Sequence, residues 1–230
     1  MQKKGKSYCR ASSHRLTQAL ILASSILSCP LLSAGTMGPL HSSGSSWSVL
    51  GSMGYTNYQG MYQKDGQTAL GRFALAHTLG QLSALSLGVE LGVQSGNTMR
   101  YVPSAATIDT LGGEPGLPIQ TTIKPMLDVL LTTKTSLSST TPLDVLVSAG
   151  LAYRRWQFND RNSISDKAQA APEVQMGLSY SLNERSRINV VYQGVFSGAP
   201  KFRFNPDNDS GSVSTIPAQH GVLLGVSVAL

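Results

Sequence analysis

Charge is what this sequence has least of. Of its 230 residues, only 13% are Asp, Glu, Lys or Arg, about half the roughly 25% of an average soluble domain. So few charges cannot cover a water-facing surface of ordinary size. Cysteine is confined to Cys9 and Cys29, both within the first 35 residues. The chain beyond them needs no disulfide and offers no thiolate nucleophile or cysteine metal site. Long apolar runs are missing too: past residue 35, no segment approaches the roughly 18 consecutive apolar residues of a membrane helix. Acid is absent from the first 35 residues, where Lys3, Lys4, Lys6, Arg10 and Arg15 supply five of the six net positive charges. The high pI is therefore a local property of the N-terminus, and no nucleic-acid partner is expected from it.

That basic head precedes ALILASSILSCPLLSAG at 19–35. A basic region, a short apolar stretch and a small-residue end make a secretory signal peptide over 1–35, with cleavage expected after Ala34 or Gly35. A transmembrane helix is disfavoured because Ser24, Ser25, Ser28 and Pro30 interrupt the run. Lipidation at Cys29 is disfavoured because Ile26-Leu27-Ser28 is a poor lipoprotein box. A Ser/Gly-rich linker follows at 36–45, and the remaining 46–230 read as one all-β domain.

Within 46–230, period-two alternation recurs eight times, which is the signature of strands with one apolar face. The runs are 46–55, 68–78, 83–96, 122–132, 143–156, 173–182, 186–196 and 220–230. In LSLGVELGVQ at 85–94, Leu85, Leu87, Val89, Leu91 and Val93 alternate with Ser86, Gly88, Glu90, Gly92 and Gln94. The fourth run places Ile123, Leu127, Val129 and Leu131 opposite Lys124 and Asp128, with Pro125 as an interruption, since proline removes a ladder donor. Short links alternate with the long connections 56–67, 97–121, 159–172 and 197–219. A membrane barrel has this rhythm, with short turns at one end and long loops at the other. A hairpin centred on Gln81 would set Arg72 opposite Glu90 and Phe73 opposite Val89. Symmetric folding of 159–172 would set Arg154 opposite Glu173.

The polar face decides which way the sheet turns. It carries Ser86, Gly88, Gly92, Ser148, Gly150, Gly177, Gly225 and Ser227, small residues suited to the narrow interior of an eight-stranded barrel. Its charges, Arg72, Glu90, Lys124, Asp128, Arg154, Glu173 and Arg187, come in both signs. They are expected to form an ion-pair network that fills the interior, because isolated buried charges are costly. The apolar face then becomes a lipid belt. Tyr55, Tyr153, Tyr192 and Phe196 mark its long-loop edge, and Trp47 and Tyr180 its short-turn edge.

A signal peptide, eight alternating strands, four long loops and a terminal strand on the last residue resemble the small outer-membrane β-barrel families. These are the OmpA-type transmembrane domain, the OmpX-type barrels and the opacity-type surface antigens. The resemblance covers about 46–230 and is one of architecture. It departs at Leu230, where those families end on an aromatic residue read by the assembly machinery. It implies an all-β, eight-stranded antiparallel up-and-down transmembrane barrel in a Gram-negative outer membrane, monomeric and without a cofactor. Its partners would be outer-membrane lipid and lipopolysaccharide, the outer-membrane assembly machinery, and a host or surface ligand reached through the four long loops. A structural or adhesin-like role leads, a small porin or solute conduit is the alternative, and a lipid A-modifying enzyme is the third. A soluble lipocalin-like barrel would need the charged exterior this chain lacks.

Candidate chemistry is sparse. His77, His41 and His220 have no serine and acid at a spacing that would make an acyl-transfer site. LGGEPGLP at 111–118 lacks the Lys-Ser/Thr ending of a phosphate loop and reads as loop punctuation. Asp207 and Asp209 fit no calcium-loop spacing, so no metal is expected. Lys201, Phe202, Arg203 and Phe204 alternate base and aromatic in the last long loop. They read first as a strand extended above the membrane, and as the alternative they are the loop residues suited to an acidic surface sugar or host ligand.

Overall fold

The computed structural model describes residues 46–59, 67–101, 119–138, 141–158, 165–205 and 210–230. The signal peptide and linker expected at 1–45, the punctuation at 111–118 and Asp207 and Asp209 lie outside them. The described residues form twelve strands and no helix. They are β1 (Trp47–Tyr58), β2 (Gln67–Leu82), β3 (Leu85–Gln94), β4 (Asn97–Tyr101), β5 (Ile119–Ile123), β6 (Met126–Ser136), β7 (Leu143–Phe158), β8 (Lys167–Ser181), β9 (Ser186–Val195), β10 (Phe202–Asn205), β11 (Ser210–Val213) and β12 (Gln219–Ala229).

Eight of these close into an antiparallel barrel in the order β1, β2, β3, β6, β7, β8, β9, β12, with β12 pairing back onto β1. Seven of the eight alternating runs fall on one of them each, and the fourth, 122–132, begins on the end of β5 and continues into β6. Closure leaves the wall without a free edge. Strands β4 and β5 prolong β3 and β6 beyond the barrel as a paired hairpin, and β5 also pairs with the end of β7. Strands β10 and β11 form a separate hairpin in the last long connection.

The turn after β2 lies further along than a hairpin centred on Gln81 requires. It is the two-residue link Ser83-Ala84, and a bulge interrupts the ladder between Thr78 and Gly80. Arg72 therefore pairs with Gln94 and Phe73 with Val93. Ser83 has φ of 57°, a left-handed conformation that costs an L-residue about 1–2 kcal/mol. Ser83→Gly should remove that strain at an unfolded-state entropy cost of about 0.5–1 kcal/mol. A net gain of up to about 1.5 kcal/mol in urea-unfolding free energy is expected.

Side chains divide sharply between the two sides of the wall. Met53 (72% exposed), Leu91 (55%), Leu151 (60%) and Leu224 (54%) all point outward, while Leu130 (0%) and Leu223 (3%) point in. Tyr55, Tyr153, Tyr192 and Phe196 form an exposed aromatic ring toward the long-loop end, with Trp47 and Tyr180 toward the other.

Candidate functional site

The barrel interior is built in layers along the axis. Nearest the short turns, Lys134 and Asp144 form an ion pair at 2.8 Å, and Ser136 Oγ donates to Asp144 at 2.9 Å. Arg187 Nε donates to Ser181 Oγ at 3.3 Å. Ser48, Ser148, Ser179 and Ser227 join Lys134 and Arg187 around a cavity of about 140 Å³. Lys134 is an interior charge the alternating pattern left in the link after the fourth strand. The continued alternation Thr132, Lys134, Ser136 was the signal for it.

At mid-height, Arg72 on β2 reaches over β3 to Asp128 on β6. Its Nε donates to Oδ2 at 3.1 Å and its Nη2 to Oδ1 at 2.5 Å. Glu90 Oε1 lies 2.6 Å from the same Nη2. The side chains of Arg72 and Asp128 are 1% and 0% exposed. Gly92 makes this geometry possible: a Cβ there would collide with Arg72 Nη2 and lie 2.5 Å from Asp128 Oδ1. Arg72 and Glu90 thus meet despite the shifted register, because the long arginine side chain spans a diagonal.

Toward the long loops, Glu173 is buried, and its Oε1 accepts from Gln175 Nε2 and Gln193 Nε2, each at 2.7 Å. Arg154 is also buried but does not face Glu173 across the ladder. It pairs with Gln169, and Glu173 with Gly150, because β8 begins at Lys167 and runs through Pro172. Arg154 Nη1 instead donates to Pro217 O at 2.8 Å and its Nη2 to Ser197 Oγ at 3.3 Å. Ile216 N donates to Gln169 Oε1 at 2.7 Å. These bonds hold Ile216-Pro217-Ala218 of the last long connection across the lumen. Tyr58, Met99, Ile123, Trp156, Phe158, Val213 and Ile216 then pack as a buried apolar cluster over the mouth.

Lys124 is not part of the interior. It is exposed, and Ile123, expected on the outer face, is buried. The break between β5 and β6 at Lys124-Pro125 reverses the side-chain alternation, so odd residues face inward before it and even residues after it. Lys201 and Arg203 are exposed on or beside the β10–β11 hairpin, where Phe202 pairs with Val213 and Phe204 with Gly211. His77 packs against Trp47 with centroids 4.3 Å apart and the rings tilted by 35°, and His220 Nδ1 lies 2.7 Å from Tyr192 Oη.

No protein-family model matches the chain, and no curated protein matches it in sequence. Solved structures do match in fold. The outer membrane protein OprG from Pseudomonas aeruginosa is 10% identical, with 81% of this chain and 98% of that one covered at a TM-score of 0.57. Neisserial surface protein A is 13% identical over 82% of this chain and 100% of that one, at 0.47. The attachment invasion locus protein Ail of Yersinia pestis is 10% identical over 82% of this chain and 100% of that one, at 0.45. The likeness to OprG shows that the chain shares the fold of small outer-membrane barrels.

Proposed function

We propose that this chain is a monomeric integral outer-membrane protein whose first 35 residues are removed on export. The barrel is a rigid scaffold, and its outer connections carry a structural or adhesin-like interaction role. One observation supports this above others: the wall is apolar and exposed outside while the lumen holds buried, hydrogen-bonded charges and is capped by an apolar cluster. Such a cylinder buries its exterior in lipid and leaves its loops as the accessible surface. Lys201 and Arg203, with Phe202 and Phe204, are the contact residues we assign to an acidic surface ligand. The second reading, a solute conduit, draws on the cavity in the short-turn half, which a small solute could enter from that side.

Cells displaying the protein should bind host-cell or matrix surfaces. Deletion of 97–121, or K201A/R203A, should abolish that binding while the protein keeps its heat-modifiable migration. Unchanged binding in both variants, together with stepwise conductance of the wild type in planar bilayers, would favour the conduit instead.

A further inference from the structure

Lys124, excluded from the interior, sits where a cation has a different use. Strand β5 pairs with β7 through Thr122 with Gln157 and Ile123 with Trp156. The next step brings Lys124 N to Arg155 O at 2.9 Å. Ile123 and Trp156 are buried, so Lys124 and Arg155 turn outward, and both are exposed. Two cations thus face each other across a ladder, an arrangement that is unfavourable without an anion between them.

The surroundings define what that anion is. Two residues back along β7 stands Tyr153, paired with Leu127 on β6, and both are exposed at the upper edge of the apolar belt. At about 3.3 Å per residue, the cations lie roughly 7 Å beyond the aromatic ring. On the same wall the hydroxyls of Thr98 and Thr122 are hydrogen-bonded to each other at 3.1 Å, and Arg100 is exposed on β4. The neighbouring acid is Asp166, 3.8 Å from Arg155, with both side chains about half exposed. That is a weak, water-screened pair that an incoming anion can displace. Among the described residues no ion pair involves Lys124.

We propose that this wall binds the phosphate headgroup of an acylated lipid of the outer leaflet, with Lys124 and Arg155 as its cations. The inference rests on the membrane reading above. Acyl chains would lie along Leu127, Val129, Leu131 and Leu151, all exposed below the cations. The guanidinium of Arg155 offers paired N–H donors to phosphate, and Lys124 adds a point charge.

The test is native mass spectrometry of the protein from neutral detergent micelles, with diphosphorylated lipid A as the probe. Wild type should retain the lipid, and K124Q/R155Q should lower retention roughly tenfold or more. Fully dephosphorylated lipid A should be retained no better than by that variant. R185Q, whose cation lies exposed in the short turn between β8 and β9 at the opposite end of the barrel, should behave as wild type. Heat-modifiable migration checks insertion independently. A folded K124Q/R155Q that holds lipid A as tightly as wild type overturns the site, as does phosphate-independent retention. Failure of the wild type itself to insert would instead remove the membrane reading.

Discussion

Replacing Arg72 with methionine should lower the unfolding free energy of the barrel by about 3–5 kcal/mol. Methionine keeps the length and loses the charge. Asp128 and Glu90 would then face a buried interior with no cation on either. Removing one partner of a buried pair costs more than the pair is worth, because the other charges stay behind without solvent. Asp128→Asn should cost less, since Arg72 keeps Glu90. Gly92→Ala tests the same cluster from the backbone, because its methyl group would enter the space held by Arg72 Nη2 and Asp128 Oδ1. Overpacking of this kind costs about 1–3 kcal/mol. The cost should shrink in the Arg72→Met background, where the guanidinium is gone. Urea titration in micelles, read by the heat-modifiable band, measures the wild type, the three single variants and the Arg72→Met/Gly92→Ala double variant. Additive losses for Arg72→Met and Gly92→Ala would mean that the two positions do not share this contact.

Arg154→Ala should open the mouth. The guanidinium is buried and ties Pro217 O and Ser197 Oγ across the lumen. Without it, the Pro217 carbonyl loses a charged donor worth about 1.5–3 kcal/mol, and a void of guanidinium size opens beneath the apolar cluster. The held segment Ile216-Pro217-Ala218 should then leave its seat part of the time. Planar-bilayer recordings should show brief conductance steps in the alanine variant and none in the wild type. Arg154→Lys should fall between them, because an ammonium can reach Pro217 O but cannot hold both partners in a planar fork. Silence in all three would mean that the apolar cluster alone closes the lumen.

The strands were legible because each carries several large apolar residues at alternate positions along one face. LSLGVELGVQ needs no neighbour to declare its two faces. Register was less legible, since it is set by turn geometry. The Ser83-Ala84 turn and the bulge at Thr78/Gly80 carry no glycine-rich or Asn-Gly signal that would have fixed them. The interior charges followed from strand parity wherever the strand is continuous, as for Arg72, Glu90 and Asp128. Lys124 and Ile123 failed because Pro125 marks a break and parity does not carry across one. The closing segment was illegible for a different reason. Ile216-Pro217-Ala218 has no periodicity, and its place is set by Arg154 and Gln169, residues more than 40 positions away in sequence.

The central claim is that the exposed apolar wall meets lipid. A nitroxide on a cysteine placed at Leu91, Leu151 or Leu224 of the mature chain, one at a time, reads that contact in reconstituted vesicles. Collisions with oxygen should exceed those with a water-soluble nickel chelate at all three sites. Labels open to the nickel chelate at these positions, in a barrel that is folded, would contradict it.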